Sequence, residues 1–133
     1  MRFWRFLDYH DGNGNNLARI WYEAQAAEVR AEIKWAVAEV EATEDLDTNP
    51  TFNRLKNQHV GLFTLRISPE INRKKLQIRT VGFWSLSRGE LILAGGFQKS
   101  GRITIPPGAC DDVLNIQLGY FRDGHGTVYD HSF

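Results

Sequence analysis

Residues 17–43 constrain the fold more than any other part of the chain. The segment has no glycine or proline and is rich in alanine and glutamate, which favours helix. Its apolar residues change phase part-way along, by roughly 140° at about 100° per residue. The first face comprises Leu17, Ile20, Trp21 and Ala24, and the second comprises Val29, Ile33, Ala36, Val37 and Val40. The pattern predicts either two helices that break near residues 26–27 or one helix buried on two sides.

Strand-like segments surround this helical region. Residues 2–7 are rich in β-forming residues, and the turn-rich run 11–16 follows, where Asn15 or Asn16 can cap a helix. After a polar connection at 44–60, residues 62–67, 74–83 and 90–97 read as three strands, with hairpin spacing that predicts antiparallel pairing. Within 74–83, Leu76, Ile78 and Val81 are assigned to one face. The opposite face is assigned Lys75, Gln77 and Arg79.

The predicted fold class is α+β. It comprises an N-terminal strand, a helical hairpin or long helix, a three-stranded antiparallel meander and a short C-terminal helix at 109–120. The 133 residues are expected to form one domain, with a core at 2–121 and a tail at 122–133 to which no role is assigned. The single cysteine, Cys110, allows no disulfide within the chain, and no segment of about 18 apolar residues is present. We therefore expect a soluble, cytoplasmic protein without a membrane partner.

The formal net charge is zero, but it is unevenly distributed along the chain. Residues 1–50 carry −5, residues 51–102 carry ten basic and two acidic residues for a net +8, and residues 103–133 carry −3. A compact region at +8 favours binding of a polyanion.

Three local segments, in this order of elements, resemble the RelE/ParE toxin superfamily, and within it the phage-derived branch related to HigB. Residues 3–12 are similar to that branch's first strand and turn. Residues 61–67, Gly-Leu-Phe-Thr-Leu-Arg-Ile, and 91–99, Leu-Ile-Leu-Ala-Gly-Gly-Phe-Gln-Lys, are similar to two of its later strands. Pro106 falls near the family's proline before the last helix, and the similarity spans roughly residues 3–115.

The resemblance implies the toxin of a type II toxin–antitoxin system. Such a toxin is an endoribonuclease that cuts messenger RNA, commonly on the ribosome. It needs no metal ion or small-molecule cofactor. An antitoxin protein, usually of the helix-turn-helix type, is the expected partner.

The same resemblance implies which side chains act. Arg66 on the second strand, Lys75 or Arg79 on the third, and Lys99 after the fourth are expected on one sheet surface, where cations stabilise a pentavalent phosphate. Arg66, Lys75 and Lys99 are the predicted catalytic set. The predicted nucleic-acid-binding set is Arg73, Lys74, Arg79 and Arg102. His10, His125, Tyr120 and Tyr129 are the further candidates for proton transfer.

Other interpretations of the same residues stay open. The neutral total charge and the departure of 74–79 from the family's third-strand pattern favour a non-catalytic interaction domain whose basic sheet docks an acidic protein. A ParE-like inhibitor of DNA gyrase is a further alternative on this scaffold. Basic side chains on an exposed strand also simply limit aggregation. The chain's own acidic helical segment is another possible partner for the basic sheet.

Overall fold

The helical segment breaks where its apolar pattern changes phase. In the computed structural model, which describes residues 2–133, helix α1 spans Leu17–Glu23 and helix α2 spans Ala27–Glu41. The side chain of Asn16 caps α1 by accepting a hydrogen bond from the backbone N–H of Arg19 at 3.0 Å. The two-helix alternative is therefore confirmed.

Among the described residues, nine strands and a third α-helix complete the fold. The strands are β1 Arg5–His10, β2 Phe52–Arg54, β3 Leu62–Ile67, β4 Glu70–Ile71, β5 Lys74–Lys75, β6 Gln77–Trp84, β7 Glu90–Ser100, β8 Ile103–Ile105 and β9 Thr127–Asp130. Helix α3 spans Ala109–Asp123, and short 3₁₀ turns lie at Leu46–Thr48 and Asn57–His59. The α+β class is confirmed. No helix within residues 2–133 is both long enough and apolar enough to cross a bilayer.

The main sheet is mixed and has seven strands. Its order is β2-β3-β6-β7-β1-β9, with β8 also paired to β7. The strands β3, β6 and β7 form the expected antiparallel meander, and β7 is central. Strand β1 runs parallel to β7, whereas β9 pairs antiparallel to β1. Strands β2, β8 and β9 and the separate β4–β5 sheet were not predicted from the sequence.

Helices cover both faces of this sheet because the strand side chains alternate between them. Phe63 and Leu65 pack in one cluster with Val37 of α2, whereas Leu62 packs in another with Val113 of α3. Each of these side chains is buried, and burial of one large apolar side chain contributes about 1.5–3 kcal/mol. The side of the sheet that α3 covers carries the candidate site.

A β-bulge in β7 decides which of its side chains share that face. Val81 pairs with Gly95 and Gly82 pairs with Leu93, so Ala94 has no partner across the ladder. The extra residue shifts the alternation, and Phe97 lies with Ala94 on the α3 side. Glycine is needed at residue 82 because a Cβ there would clash with the carbonyl oxygen of Ile92.

Several predicted boundaries were wrong. The first strand begins at Arg5 rather than residue 2, the connection 44–60 contains β2, and the last helix continues to Asp123. The predicted strand 74–83 is interrupted at Leu76. Residues 74–75 fold back on β4 instead, because Asn72 and Arg73 adopt φ of 53° and 63°, which makes a tight two-residue hairpin.

The face assignment within that strand also needs correction. Ile78 packs with α2, but Val81 packs with α3, on the same side of β6 as Arg79. The alternation of residues 78–84 is continuous, so an odd and an even position cannot share a face. The side chain of Val81 therefore lies on the α3-covered face of the sheet, together with the candidate site, and not on the face that α2 covers.

The C-terminal tail has a structural role that its sequence did not indicate. The carboxylate of Asp8 is fully buried and accepts hydrogen bonds from Asn16 Nδ2 at 2.9 Å and from the backbone N–H of Ser132 at 3.1 Å. His131 Nδ1 lies 2.8 Å from its other oxygen. Phe133 packs on Tyr22, with ring centroids 4.6 Å apart. Residues 127–133 thus complete the sheet edge and satisfy a buried charge.

Candidate nucleic-acid interface

A cleft of about 250 Å³ opens between the α3-covered face of the sheet and the start of α3. Strands β2, β3, β6, β7 and β8 supply its floor, and the 3₁₀ turn Asn57–His59 supplies one wall. We call it the cationic cleft. Its lining consists of Asn53, Leu55, His59, Thr64, Arg66, Arg79, Phe97, Lys99, Thr104 and Cys110.

Two arginines face each other across neighbouring strands of the cleft. Arg66 of β3 and Arg79 of β6 are direct register partners, so their side chains leave the same face of the sheet. Like charges directly opposite one another destabilise a sheet. Burial, and then the charge of Arg66, lower the pKa of Arg79. Nη1 of Arg79 donates to the carbonyl oxygen of Ile78 at 3.0 Å.

Lys99 supplies a third positive charge from β7. Its register partners are Gln77 on β6 and Thr104 on β8, and Thr104 also lines the cleft. Within residues 2–133, no carboxylate oxygen lies within 4.0 Å of the charged nitrogens of Arg66, Arg79 or Lys99. Within that distance, residues 2–133 supply none of these three cations with a counter-ion.

Cys110 adds a thiol to the same lining. Burial raises the pKa of Cys110, the carboxylate of Asp111 raises it further, and the charge of Lys99 opposes both. The side chain is therefore a neutral thiol at physiological pH, not a thiolate nucleophile. Its usefulness is as a chemical reporter, because it is the chain's single cysteine.

The N-terminus of α3 borders the cleft. Gly108 precedes the helix with a left-handed φ of 71°, a conformation that is unfavourable for residues with a side chain. The helix continues for 15 residues. Unpaired backbone N–H groups at such an end add positive potential. Asp111 and Asp112 lie in this first turn.

His59 is the lining residue that sequence reasoning missed. Its Nε2 atom lies 2.7 Å from Oδ1 of Asp111 on α3. The loop that carries it is held to α3 a second time, because Gln117 Nε2 donates to the carbonyl oxygen of Gly61 at 3.3 Å. The two members of the His59–Asp111 pair are 52 positions apart, so no local motif marks them.

The structure brings only part of the predicted site together. Arg66, Arg79 and Lys99 line the cleft, whereas Lys75 does not; it is exposed on the β4–β5 hairpin, opposite Glu70 in register. Arg73 and Lys74 are exposed on that same hairpin, and Arg102 is exposed in the β7–β8 turn. We refer to Arg73, Lys74 and Lys75 as the hairpin cations.

The four residues named for proton transfer all lie outside the cleft. His10 and Tyr129 pack against each other, with ring centroids 4.6 Å apart, in a separate depression beside the turn at Asp11. Tyr120 packs edge-on against Tyr9 in the core. His125 is exposed after the end of α3. His59 is the histidine that the fold places beside the three cations.

Within residues 2–133, no three His, Cys, Asp or Glu side chains form a group suited to hold a metal ion. The cleft itself offers arginine and lysine nitrogens, hydroxyl groups and one imidazole. These groups suit an anionic ligand.

No family model, curated protein or solved structure matches this chain. The case for a function therefore depends on the cationic cleft and on the chemistry of its lining.

Proposed function

We propose that the protein is the toxin of a type II toxin–antitoxin pair, and that it cleaves messenger RNA, in association with the ribosome, without a metal ion. The observation that carries the proposal is that Arg66, Arg79 and Lys99 line one cleft, with no carboxylate oxygen of the described residues within 4.0 Å of their charged nitrogens. The RelE-like arrangement of strands is part of the same proposal.

An RNA phosphodiester suits this arrangement. Guanidinium groups bind phosphate oxygens in a fixed fork, and a single phosphate between Arg66 and Arg79 would cancel the repulsion that their register creates. Each hydrogen bond to a charged group contributes about 1.5–3 kcal/mol. Because an anion between Arg66 and Arg79 removes the repulsion between them and water does not, the cleft favours an anionic ligand.

Cleavage follows from the same contacts. The RNA 2′-oxygen attacks the adjacent phosphorus, the P–O5′ bond breaks, and a 2′,3′-cyclic phosphate and a 5′-hydroxyl are formed. Negative charge increases on the non-bridging oxygens in the transition state, so cations fixed beforehand stabilise it more than the ground state. Arg66, Arg79 and Lys99 are the residues that we assign to this role.

The positions of the acidic residues support a ligand from outside the chain. Helix α2, which lies within the segment of net charge −5, packs on the opposite face of the sheet from the cleft. The acidic helical segment therefore does not cover the cations. This favours an external polyanion over an internal charge pairing.

An antitoxin of the helix-turn-helix type is the proposed protein partner. Strand β8 borders the cleft through Thr104 and leaves its two flanking isoleucines, Ile103 and Ile105, 66% and 54% exposed. Because the side chains of a strand alternate, these isoleucines face away from the cleft, and the antitoxin is expected to contact the cleft itself through acidic side chains.

The test compares two triple variants that lose the same charge. Arg66→Ala/Arg79→Ala/Lys99→Ala empties the cleft of cations, and Arg73→Ala/Lys74→Ala/Lys75→Ala removes the hairpin cations. Purified proteins are incubated with messenger RNA, both free and bound to ribosomes, and the 3′ ends are analysed. We expect cleavage by the parent and the hairpin variant, with cyclic phosphate ends, and a loss of about 100-fold or more in the cleft variant.

Equal cleavage by the cleft variant and the parent would contradict the proposal. A parent that leaves RNA intact would also contradict it. If such a parent blocks DNA supercoiling, the ParE-like alternative gains, and if it only binds an acidic protein, the interaction-domain alternative gains.

A further inference from the structure

We infer that His59 is the proton-transfer group of the cationic cleft and that Asp111 positions it. This inference rests on the proposed RNA cleavage. It adds what the three cations cannot supply, because arginine and lysine side chains are fully protonated at neutral pH and accept no proton from a hydroxyl.

The geometry identifies which imidazole nitrogen is free. The carboxylate of Asp111 is an acceptor, so the proton between it and His59 Nε2, 2.7 Å away, is on the histidine. Neutral imidazole then carries its lone pair on Nδ1. A histidine whose tautomer is held by a carboxylate is the arrangement that general bases use.

His59 is held in place from both sides. The 3₁₀ turn Asn57–His59 begins at Asn57 in a left-handed conformation, φ 59°, which asparagine tolerates. Asp111 is part of α3, and the Gln117–Gly61 hydrogen bond joins the same loop to the next turns of that helix. The imidazole therefore keeps its position when the cleft is empty.

The step balances without a further reactant. Nδ1 of His59 takes the proton of the 2′-hydroxyl as the 2′-oxygen bonds to phosphorus and the P–O5′ bond breaks. The departing 5′-oxygen takes a proton from water, and His59 returns its proton to water. No oxidant, reductant or metal enters the reaction.

The charged and titratable groups around the imidazole are Asp111 and Cys110 of α3, Arg66 of β3, Arg79 of β6 and Lys99 of β7.

The test measures RNA affinity and single-turnover cleavage separately, across pH. With the full chain, His59→Ala is expected to lower the cleavage rate by about 100-fold or more and to change affinity by less than about threefold. The parent's rate is expected to fall as pH decreases between about 8 and 5, and His59→Ala is expected to lose that dependence.

Matched controls separate chemistry from structure. His125→Ala removes an exposed histidine outside the cleft and is expected to leave the rate unchanged. Asp111→Asn is expected to lower the rate by about tenfold or more, whereas Asp112→Asn makes the same change in the same helical turn without touching His59. Should His59→Ala unfold, His59→Gln, which keeps an N–H for Asp111, is judged by the same criteria.

The outcomes distinguish the two proposals. A parent that does not cleave RNA overturns the proposed function. A parent that cleaves, with His59→Ala cleaving equally and with the same pH dependence, overturns this inference alone. A loss of affinity equal to the loss of rate would make His59 a binding residue and would also overturn the inference.

Discussion

The cationic cleft and the β4–β5 hairpin carry the same number of the basic residues that the sequence singled out, but their surroundings differ. Arg66, Arg79 and Lys99 share a concave surface with a buried aromatic floor at Phe97. The hairpin cations are exposed to solvent, as are Arg66 and Lys99, whereas Arg79 is partly buried. Both regions lie at one end of the sheet, because β3 ends and β6 begins beside each other there.

This difference matters because the value of a charge depends on what surrounds it. An exposed lysine is well solvated and exchanges water for a phosphate with little net gain. Arg79 is partly buried and has lost part of its hydration already, so an anion bound between it and Arg66 gains more. The three cations of the cleft are therefore expected to bind RNA more tightly than the three hairpin cations. Four comparisons between the two regions test this difference.

The largest expected effect is on RNA affinity after a single charge reversal. Arg66→Glu places a carboxylate opposite Arg79 and repels phosphate, so we expect the dissociation constant for a single-stranded RNA oligonucleotide to rise about 100-fold. Lys75→Glu makes the same charge change on the hairpin and should raise it only about threefold. Fluorescence anisotropy at about 0.1 M salt measures both. Similar losses in the two variants would remove the distinction between cleft and hairpin.

The salt dependence of binding counts the phosphate contacts. For single strands, the slope of log affinity against log salt is about −0.7 for each neutralised phosphate. We expect the cleft triple variant to lose a slope of about 2 relative to the parent and the hairpin triple variant to lose less than about 0.7. The reverse order would place the RNA on the hairpin.

Removing a cleft charge should increase the stability of the fold although it weakens RNA binding. Arg79→Met removes a partly buried charge that faces Arg66 and is expected to raise the free energy of unfolding by about 0.5–1 kcal/mol at low salt. Lys75→Met, on the exposed hairpin, should change it by less than about 0.5 kcal/mol. Thermal melts at low and high salt provide the measurement. A gain for Arg79→Met that is unchanged by salt would argue against charge repulsion as its cause.

The smallest expected effect is on the reactivity of Cys110. The charge of Lys99 lowers the pKa of Cys110, against the larger effect of burial. Lys99→Ala should therefore raise that pKa further, reduce the thiolate fraction at mildly alkaline pH and slow alkylation by iodoacetamide by a small factor. Lys75→Ala should not slow it. Bound RNA should protect the thiol in the parent, and labelling that ignores RNA would indicate a ligand outside the cleft.

Local sequence signals predicted the helices and the central strands well. The break between α1 and α2 follows from the phase change of the apolar residues, and the bounds of β3 match the alternation of 62–67. Each of these signals lies within a window of a few turns or strands. The short strands β2, β8 and β9 were missed because each has only three or four residues and depends on a neighbour for pairing.

The residues of the site also differ in whether neighbouring sequence could predict their positions. The resemblance implied that Arg66, Lys99 and either Lys75 or Arg79 share one surface, and the register of β3 and β6 pairs Arg66 with Arg79. Lys75 was misplaced because two residues of positive φ, Asn72 and Arg73, turn it into a separate hairpin. His59 could not be found, since its partner Asp111 is brought to it only by the packing of α3.

The sequence by itself determined the α+β class, the helical segment at 17–43 with its change of apolar face, the antiparallel meander and the concentration of positive charge in residues 51–102. These properties depend on composition and on periodicities of 2 and 3.6 residues, which are local. Tertiary structure alone decided that His59 meets Asp111 and that the tail hydrogen-bonds to Asp8. The first contact depends on the docking of α3 and the second on the pairing of β9 with β1, where residues far apart in the chain meet because the core packs.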